Sequence, residues 1–382
     1  MSKTYYQSLD LWRGLACLWV VMMHACAPAL ATQFPNLKHN PLYAVSLYGF
    51  LGVQMFFVIS GYCIVQAAAS AMRKDSPFKT FVRARVRRIY PPYIVAAILS
   101  ILLSAAAGYL VAKGVFKGSS LASADVLHQG PLYFFAQATL TQFVFHKDPV
   151  LVPFWTLCYE AAFYLIVGLF LLIPKARITE RLMLNGLHAL TFASLVYLIA
   201  VPFHHFYPLD LWPVFGLGGM VYDILKHPES KLPKAFFGVA AALFLVFGFL
   251  HEHIGQEGDT LMSSRLMFFV GLASASMLLL LNRFDAKIAQ TKALQPFFAL
   301  GRISYSLYLT NFLALGFLAQ IQKRLHISET LFTPFFFLSV LLAIAFAYVF
   351  YRLFEKPYLN QRKPVSTDEA RSAAPEVAAV SS

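Results

Sequence analysis

Charge is scarce in this chain. Of its 382 residues only 13% are Asp, Glu, Lys or Arg, while 59% are apolar. An ordinary soluble domain carries about 25% charged and about 45–50% apolar residues. So little charge argues against one large soluble domain or two small ones. Hydrophobicity this high excludes a disordered chain. Cysteine is sparse as well, four in the whole length, too few for a disulfide scaffold. No Cys/His spacing matches a zinc site, and no P-loop or dinucleotide-binding glycine pattern is present. No internal repeat of the kind that builds many transporters is evident. What remains is an integral membrane protein. Its net charge of +13, with His neutral, is then expected in loops rather than in a nucleic-acid-binding patch.

A helix crosses the hydrocarbon core with about 20 predominantly apolar residues. Ten segments qualify, at 10–29, 47–70, 91–112, 154–174, 185–203, 209–225, 235–251, 263–281, 297–322 and 331–352. The sixth is the weakest, being short and carrying Gly216, Gly218 and Gly219. Lys and Arg concentrate in cytoplasmic loops, which tests the count. With the N-terminus inside, 22 of the 31 basic residues fall on the inner side and six on the outer. The expected fold is therefore an all-α, polytopic helical bundle of about ten spans, with both termini cytoplasmic. Residues 1–358 form the membrane domain, and 359–382, polar and rich in Ala, Ser and Pro, form a disordered cytoplasmic tail. A cleavable signal peptide ending near Ala29–Leu30–Ala31 is disfavoured, because Asp10, Arg13 and His24 sit in the apolar run. Cys17, Cys26, Cys63 and Cys158 all fall in spans and read as small packing residues. A Cys26–Cys158 bond is geometrically conceivable but not expected.

Ionisable groups inside spans are costly and are candidates for function. Span one holds Asp10, Arg13 and His24. Arg13 and His24 lie close to three helical turns apart and Asp10 one turn before Arg13, so all three share a face. That face should look into the bundle, with His24 in the outer half of the membrane. Glu160 in span four is placed at nearly the same depth, and a carboxylate beside an imidazole is a recurrent general-base arrangement. Asn311 in span nine also reaches that depth. Each has a plainer reading: an interfacial ion pair for Asp10 and Arg13, a satisfied core histidine, a carboxylate paired elsewhere, an asparagine that glues helices. Between spans two and three, Arg83, Arg85, Arg87 and Arg88 crowd six residues just before a membrane entry. They suit either topology and anionic lipid or a phosphate clamp, since Arg forks bind phosphate bidentately.

Taken together these residues resemble acyltransferase family 3, integral membrane enzymes that modify O-antigens, exopolysaccharides, nodulation factors and other extracytoplasmic acceptors. The likeness runs through Leu9–Asp10–Leu11–Trp12–Arg13–Gly14 with His24, then Gly49–Phe50–Leu51–Gly52–Val53–Gln54–Met55–Phe56–Phe57 to Ser60–Gly61–Tyr62. It continues through Arg85 and Arg88 with Ile89 and Pro91, Trp155–Thr156–Leu157 with Glu160 and Phe163–Tyr164, and Ile303–Ser304–Tyr305–Ser306–Leu307–Tyr308–Leu309. Five motifs in order cover about 10–355. The chain departs at Gln54, where the family often has Asp, and at Asn311, where it often has His. It is most similar to the stand-alone members acting on exopolysaccharide.

The resemblance implies transfer of an acyl group, usually acetyl, from cytoplasmic acetyl-CoA to a hydroxyl of an extracytoplasmic or lipid-linked sugar, in the inner membrane of a bacterium. His24, Glu160 and Arg13 would be catalytic: His24 as general base or acyl carrier, Glu160 as its orienting or charge-balancing partner, Arg13 extending the positive path. Arg85 and Arg88 would hold the CoA phosphates. Asp10, Ser60, Trp155, Tyr305, Ser306 and Asn311 would support substrate or structure. Acyl-CoA, a glycan acceptor and the bilayer are the implied partners, with no metal and no nucleic acid. A saccharide or small-solute permease and a succinyl transferase are the alternatives.

Overall fold

The computed structural model describes residues 6–26, 34–114, 126, 129–174, 177–201, 206–250, 265–325 and 328–359. Among them helices account for nearly all regular structure and no strand occurs. In chain order the helices are α1 (Leu9–Cys26), α2 (Pro41–Leu47), α3 (Gly52–Ala71), α4 (Pro77–Ala112), α5 (Pro131–Thr139), α6 (Trp155–Phe170), α7 (Glu180–Ala200), α8 (Trp212–Lys226), α9 (Lys231–Leu250), α10 (Arg265–Leu281), α11 (Asp285–Gln290), α12 (Gln295–Arg302), α13 (Ser304–Arg324) and α14 (Phe332–Phe350). A π-helical turn, Tyr351–Glu355, continues α14. The Ala29–Ala31 triplet and all of the tail but Leu359 lie outside the described residues.

The chain is a multi-pass membrane protein. Among the described residues eight helical segments are long and apolar enough to cross a bilayer. Their outward faces carry large apolar side chains such as Leu102, Tyr109, Leu165, Phe249 and Leu341, each more than 59% exposed, as lipid contact requires. Ten expected spans all have helices, but two of them are not apolar or long enough to count among those eight. The first is α8, the glycine-rich sixth span. Its 15 residues are short, and every one from Trp212 to Asp223 is buried, packed among α3, α7, α9 and α10. The second is α13, whose Ser, Thr, Asn and Gln side chains are buried in the bundle. Neither has to satisfy lipid, so neither needs high hydropathy.

Glycine sets the closest crossings. A Cβ at Gly218 of α8 would run into the backbone of Val58, and one at Gly61 of α3 into that of Phe215. The α1–α12 crossing is built the same way, with Gly14 against Phe297 and Gly301 against Asp10. Small residues let helix backbones approach where lipid supplies no hydrophobic drive. What reads as a weak span in sequence is thus a closely packed, buried helix.

Two expected boundaries change. The arginine cluster lies on a helix, not in a loop: α4 is 36 residues long and begins at Pro77, well before Pro91 and Pro92. At 1.5 Å per residue that is roughly 54 Å, far more than a hydrocarbon core of about 30 Å. Pro77 opens the helix, where a missing N–H costs nothing, and the arginines that follow are good helix formers. The ninth span is broken at Ile303 into α12 and α13. The amide of Ser306, which the start of α13 leaves without an intrahelical acceptor, donates instead to Glu355 Oε2 at 3.1 Å.

A buried ionic cluster joins α7 to α8. Asp223, fully buried, accepts from Arg181 Nη1 at 2.9 and 3.0 Å and contacts His188 Nε2 at 3.0 Å and His227 Nδ1 at 2.8 Å. Beside it Lys226 pairs with Glu180.

Candidate active site

The site forms where α1, α3, α4, α6 and α13 meet. On α1, Asp10 and Arg13 form an ion pair across one turn at 3.6 Å. Both line a cavity of about 950 Å³ at the end of the bundle where α1 begins and α3, α8 and α12 finish. Of the four clustered arginines, Arg85 and Arg88 line this cavity while Arg83 and Arg87 are exposed elsewhere. A three-residue step on a helix puts two side chains on one face, which is how the R-x-x-R spacing works here. The Arg85 guanidinium stands 5.9 Å from the Phe81 ring centroid and 5.8 Å from that of Tyr164. Its Nε is buried and has no hydrogen-bond partner. An orphaned buried donor on a cation is costly, and an anionic ligand would satisfy it.

The cavity continues inward past Arg13, Cys63, Arg85 and Arg88 into a narrow space of about 90 Å³. Here Glu160 accepts from the Tyr164 hydroxyl at 2.6 Å and from the Ser60 hydroxyl at 3.4 Å. Tyr305 donates to the carbonyl of Ile89 at 2.9 Å, and the Tyr308 and Thr156 hydroxyls share a bond of 2.6 Å. These bonds tie α3, α4, α6 and α13 together around the cavity. Cys63 is the one described cysteine that is not buried, and all four are free thiols. At the cavity mouth Tyr6 donates to the Leu278 carbonyl at 2.9 Å. Burial, aided by the nearby Asp285 carboxylate, pushes its phenol up to about 12, so it stays a neutral donor.

His24 lines neither cavity. Its Nδ1 lies 2.5 Å from Asn311 Oδ1, and Phe312 meets the ring edge-on at 5.6 Å. The Asn311 amide nitrogen donates to the carbonyls of Leu307 and Tyr308 at 2.9 and 2.8 Å. Those two acceptors assign which end of the amide is nitrogen. The oxygen therefore faces His24, so Nδ1 carries the proton and Nε2 keeps a lone pair. Since Tyr308 lines the narrow cavity, a chain of contacts runs from that cavity through Tyr308 and Asn311 to His24.

The expected His24–Glu160 pairing is not what the bundle makes. Asn311 partners the histidine, and Glu160 is held by Tyr164 and Ser60. Equal depth does not fix rotation about the helix axis, and only packing does. Trp155 also lines neither cavity; it stacks edge-on against Phe57 at 6.1 Å and Tyr159 at 5.8 Å. Ser306 faces away from the narrow cavity and donates to Glu355 Oε2 at 2.5 Å. Arg13, Arg85, Arg88, Ser60, Glu160 and Tyr305 do converge.

Glu355, Arg73, Lys226 and Arg302, which no sequence motif singles out, all line the wide cavity. Glu355 follows the last apolar run and reads as interfacial, yet it is 3% exposed. The three cations lie at helix ends and read as topology signals. Nothing in their spacing links them. Among the described residues no group of three or more His, Cys, Asp or Glu side chains could hold a metal ion.

Comparison with known proteins supplies a separate line. A family model described as an acyltransferase domain matches residues 6–352. A protein of Acidianus two-tailed virus, provisionally named an acetyltransferase, is 25% identical over 339 residues, covering 88% of this chain and 91% of its own. O-acetyltransferase OatA of Staphylococcus aureus (strain NCTC 8325 / PS 47) is 22% identical over 386 residues, covering 93% of this chain. This chain spans only 57% of that relative's length. No solved structure matches.

Proposed function

The chain belongs to this acyltransferase family, matched over residues 6–352, and from that premise we propose that it is an O-acyltransferase moving acetyl from cytoplasmic acetyl-CoA to a sugar hydroxyl on the far side of a bacterial inner membrane. The observation that carries the reading is the wide cationic cavity leading into the narrow one at Ser60, Glu160 and Tyr164. A phosphorylated carrier with a thin thioester arm has that shape: broad and anionic at one end, slender at the other. The strong bias of Lys and Arg to alternate loops supports a cytoplasmic side for the wide cavity and both termini. About 90 Å³ of free space at the inner end suits a short acyl group, and favours acetyl over succinyl.

In this reading Arg85 and Arg88 bind donor phosphates, and the unpartnered Arg85 Nε gains its missing acceptor. Arg13 extends the positive path toward the thioester. The thioester reaches past Tyr308 and Asn311 to His24, which lies beyond the narrow cavity. His24 Nε2 takes the proton of the acceptor hydroxyl as its oxygen attacks the thioester carbonyl; the carbon–sulfur bond breaks, and the proton leaves with the CoA thiol. Asn311 holds Nδ1–H, which keeps the basic nitrogen free. Glu160 balances the arginines of the narrow cavity rather than the imidazole. The acceptor is a glycan or lipid-linked sugar reaching His24 from the side opposite the arginines.

The test is direct. His24→Ala should abolish acetylation of surface glycans, read by mass spectrometry or NMR of cells with and without the gene, at unchanged protein level. Arg85→Ala should lose acetylation together with binding of acetyl-CoA by the purified protein. Wild-type acetylation in either variant removes that residue from the mechanism, and a wild-type protein that neither binds acetyl-CoA nor releases CoA overturns the donor assignment.

A further inference from the structure

Arg85 and Arg88 account for only part of the positive charge in the wide cavity. Arg73, Lys226 and Arg302 line it too but do not reach the narrow cavity. They come from three separate chain segments. Arg73 follows the end of α3, Lys226 is the last residue of α8, and Arg302 is the last of α12. A cation at a helix C-terminus is ordinary, since it complements the helix dipole. Three of them brought to one cavity are a different matter. Among the described residues the cavity is lined by six cations and two carboxylates, Asp10 and Glu355. Both carboxylates are engaged, Asp10 with Arg13 and Glu355 with Ser306. Lys226 is steadied by Glu180 and by the Tyr222 ring, 5.4 Å away. Arg73 Nη2 is 3.4 Å from Ser70 Oγ.

The cations therefore fall into two tiers: Arg13, Arg85 and Arg88 at the throat, shared by both cavities, and Arg73, Lys226 and Arg302 at the rim. A single phosphate group needs one tier. We infer that the rim of Arg73, Lys226 and Arg302 is a second anion subsite that reads the 3′-phosphate of a 3′-phosphoadenosine diphosphate carrier, while the throat holds the diphosphate. This rests on the donor being a CoA thioester. Six cations against Asp10, Glu355 and the Glu180 that pairs with Lys226 leave a surplus of three positive charges, and a diphosphate with about two negative charges plus a phosphomonoester with roughly 1.5 to 2 at pH 7 would more than neutralise it. The rim thus sets selectivity for the 3′-phosphorylated carrier, and takes no part in the transfer itself.

The discriminating probe is dephospho-CoA, which lacks only the 3′-phosphate. Full-length protein purified in a neutral detergent, so that no anionic lipid competes, is titrated with CoA and with dephospho-CoA by calorimetry. Wild type should bind CoA about tenfold or more tightly, on the order of one charge-assisted phosphate contact. Arg73→Gln, Lys226→Gln and Arg302→Gln should each shrink that ratio about threefold, and the triple variant should bring it close to one. Affinity for dephospho-CoA should stay at the wild-type value throughout, which also reports that the variants are folded. Lys287→Gln, an exposed basic residue outside the cavity, should leave the ratio intact. Equal wild-type affinities for the two ligands would overturn the subsite, as would variants that weaken both ligands alike. If wild type binds neither ligand, the CoA donor and the subsite fall together, a result distinct from failure of the subsite alone.

Discussion

At the scale of single residues, the candidate chemistry depends on how one imidazole is held. The Asn311 amide is fixed by two backbone carbonyls and in turn fixes the His24 tautomer. Asn311→Leu should leave CoA binding unchanged and lower the turnover rate by about 10- to 100-fold, a part of the roughly 10²–10⁴-fold that a positioned general base contributes. A steady-state comparison of kcat against the KM for acetyl-CoA checks this; a rise in KM alone would place Asn311 in donor binding instead. Cys63 gives a second residue-scale readout. It lines both cavities, while the other three cysteines are buried. A maleimide should therefore modify Cys63 alone, and saturating CoA should slow that labelling by about tenfold. Mass spectrometry of the labelled peptide would show it, and labelling indifferent to CoA would place the ligand elsewhere.

At the scale of helices, the paired glycines decide how closely elements approach. At Gly218 an added methyl meets the Val58 backbone, which cannot turn aside as a side chain can. Gly218→Ala should cost about 1–3 kcal/mol or more, the usual penalty of overpacking. At Gly238 on α9 a Cβ meets nothing within 4 Å, so Gly238→Ala should be neutral or stabilise by up to about 1 kcal/mol through helix propensity. Thermal unfolding of the two variants in detergent separates them. The same helices show what a sequence pattern leaves hidden. The positions of α1, α3, α7, α9, α10 and α14 follow from apolar runs alone, because lipid demands them. The long start of α4 and the break at Ile303 do not follow, because both sit where protein contacts replace lipid contacts.

At the scale of the whole molecule, the distribution of charge predicts orientation. The turn holding Asp75 and the segment holding His146 lie at opposite ends of the bundle if the ten helices alternate. In a Cys63→Ser background, His146→Cys should react with a membrane-impermeant maleimide in intact spheroplasts. Asp75→Cys should react only after permeabilisation. The reverse pattern would place the arginine-lined cavity outside the cell and rule out a cytoplasmic donor.

Amino-acid order was enough for part of this protein. Apolar runs of bilayer length, with Lys and Arg biased to alternate loops, determine a multi-pass helical bundle, and residues rare in such a background single out Arg13, His24, Arg85, Arg88 and Glu160. Spacing along one helix is also enough to put Asp10 beside Arg13 and to turn Arg85 and Arg88 the same way, since those relations obey a fixed period. Partners on different helices are another matter. That Asn311 and not Glu160 holds His24, that Glu355 meets Ser306, and that Arg73, Lys226 and Arg302 share one cavity were decided by helix rotation and crossing. Those are set by close packing at glycines such as Gly61 and Gly218. Hydropathy is a one-dimensional record of contact with lipid and carries no measure of that rotation.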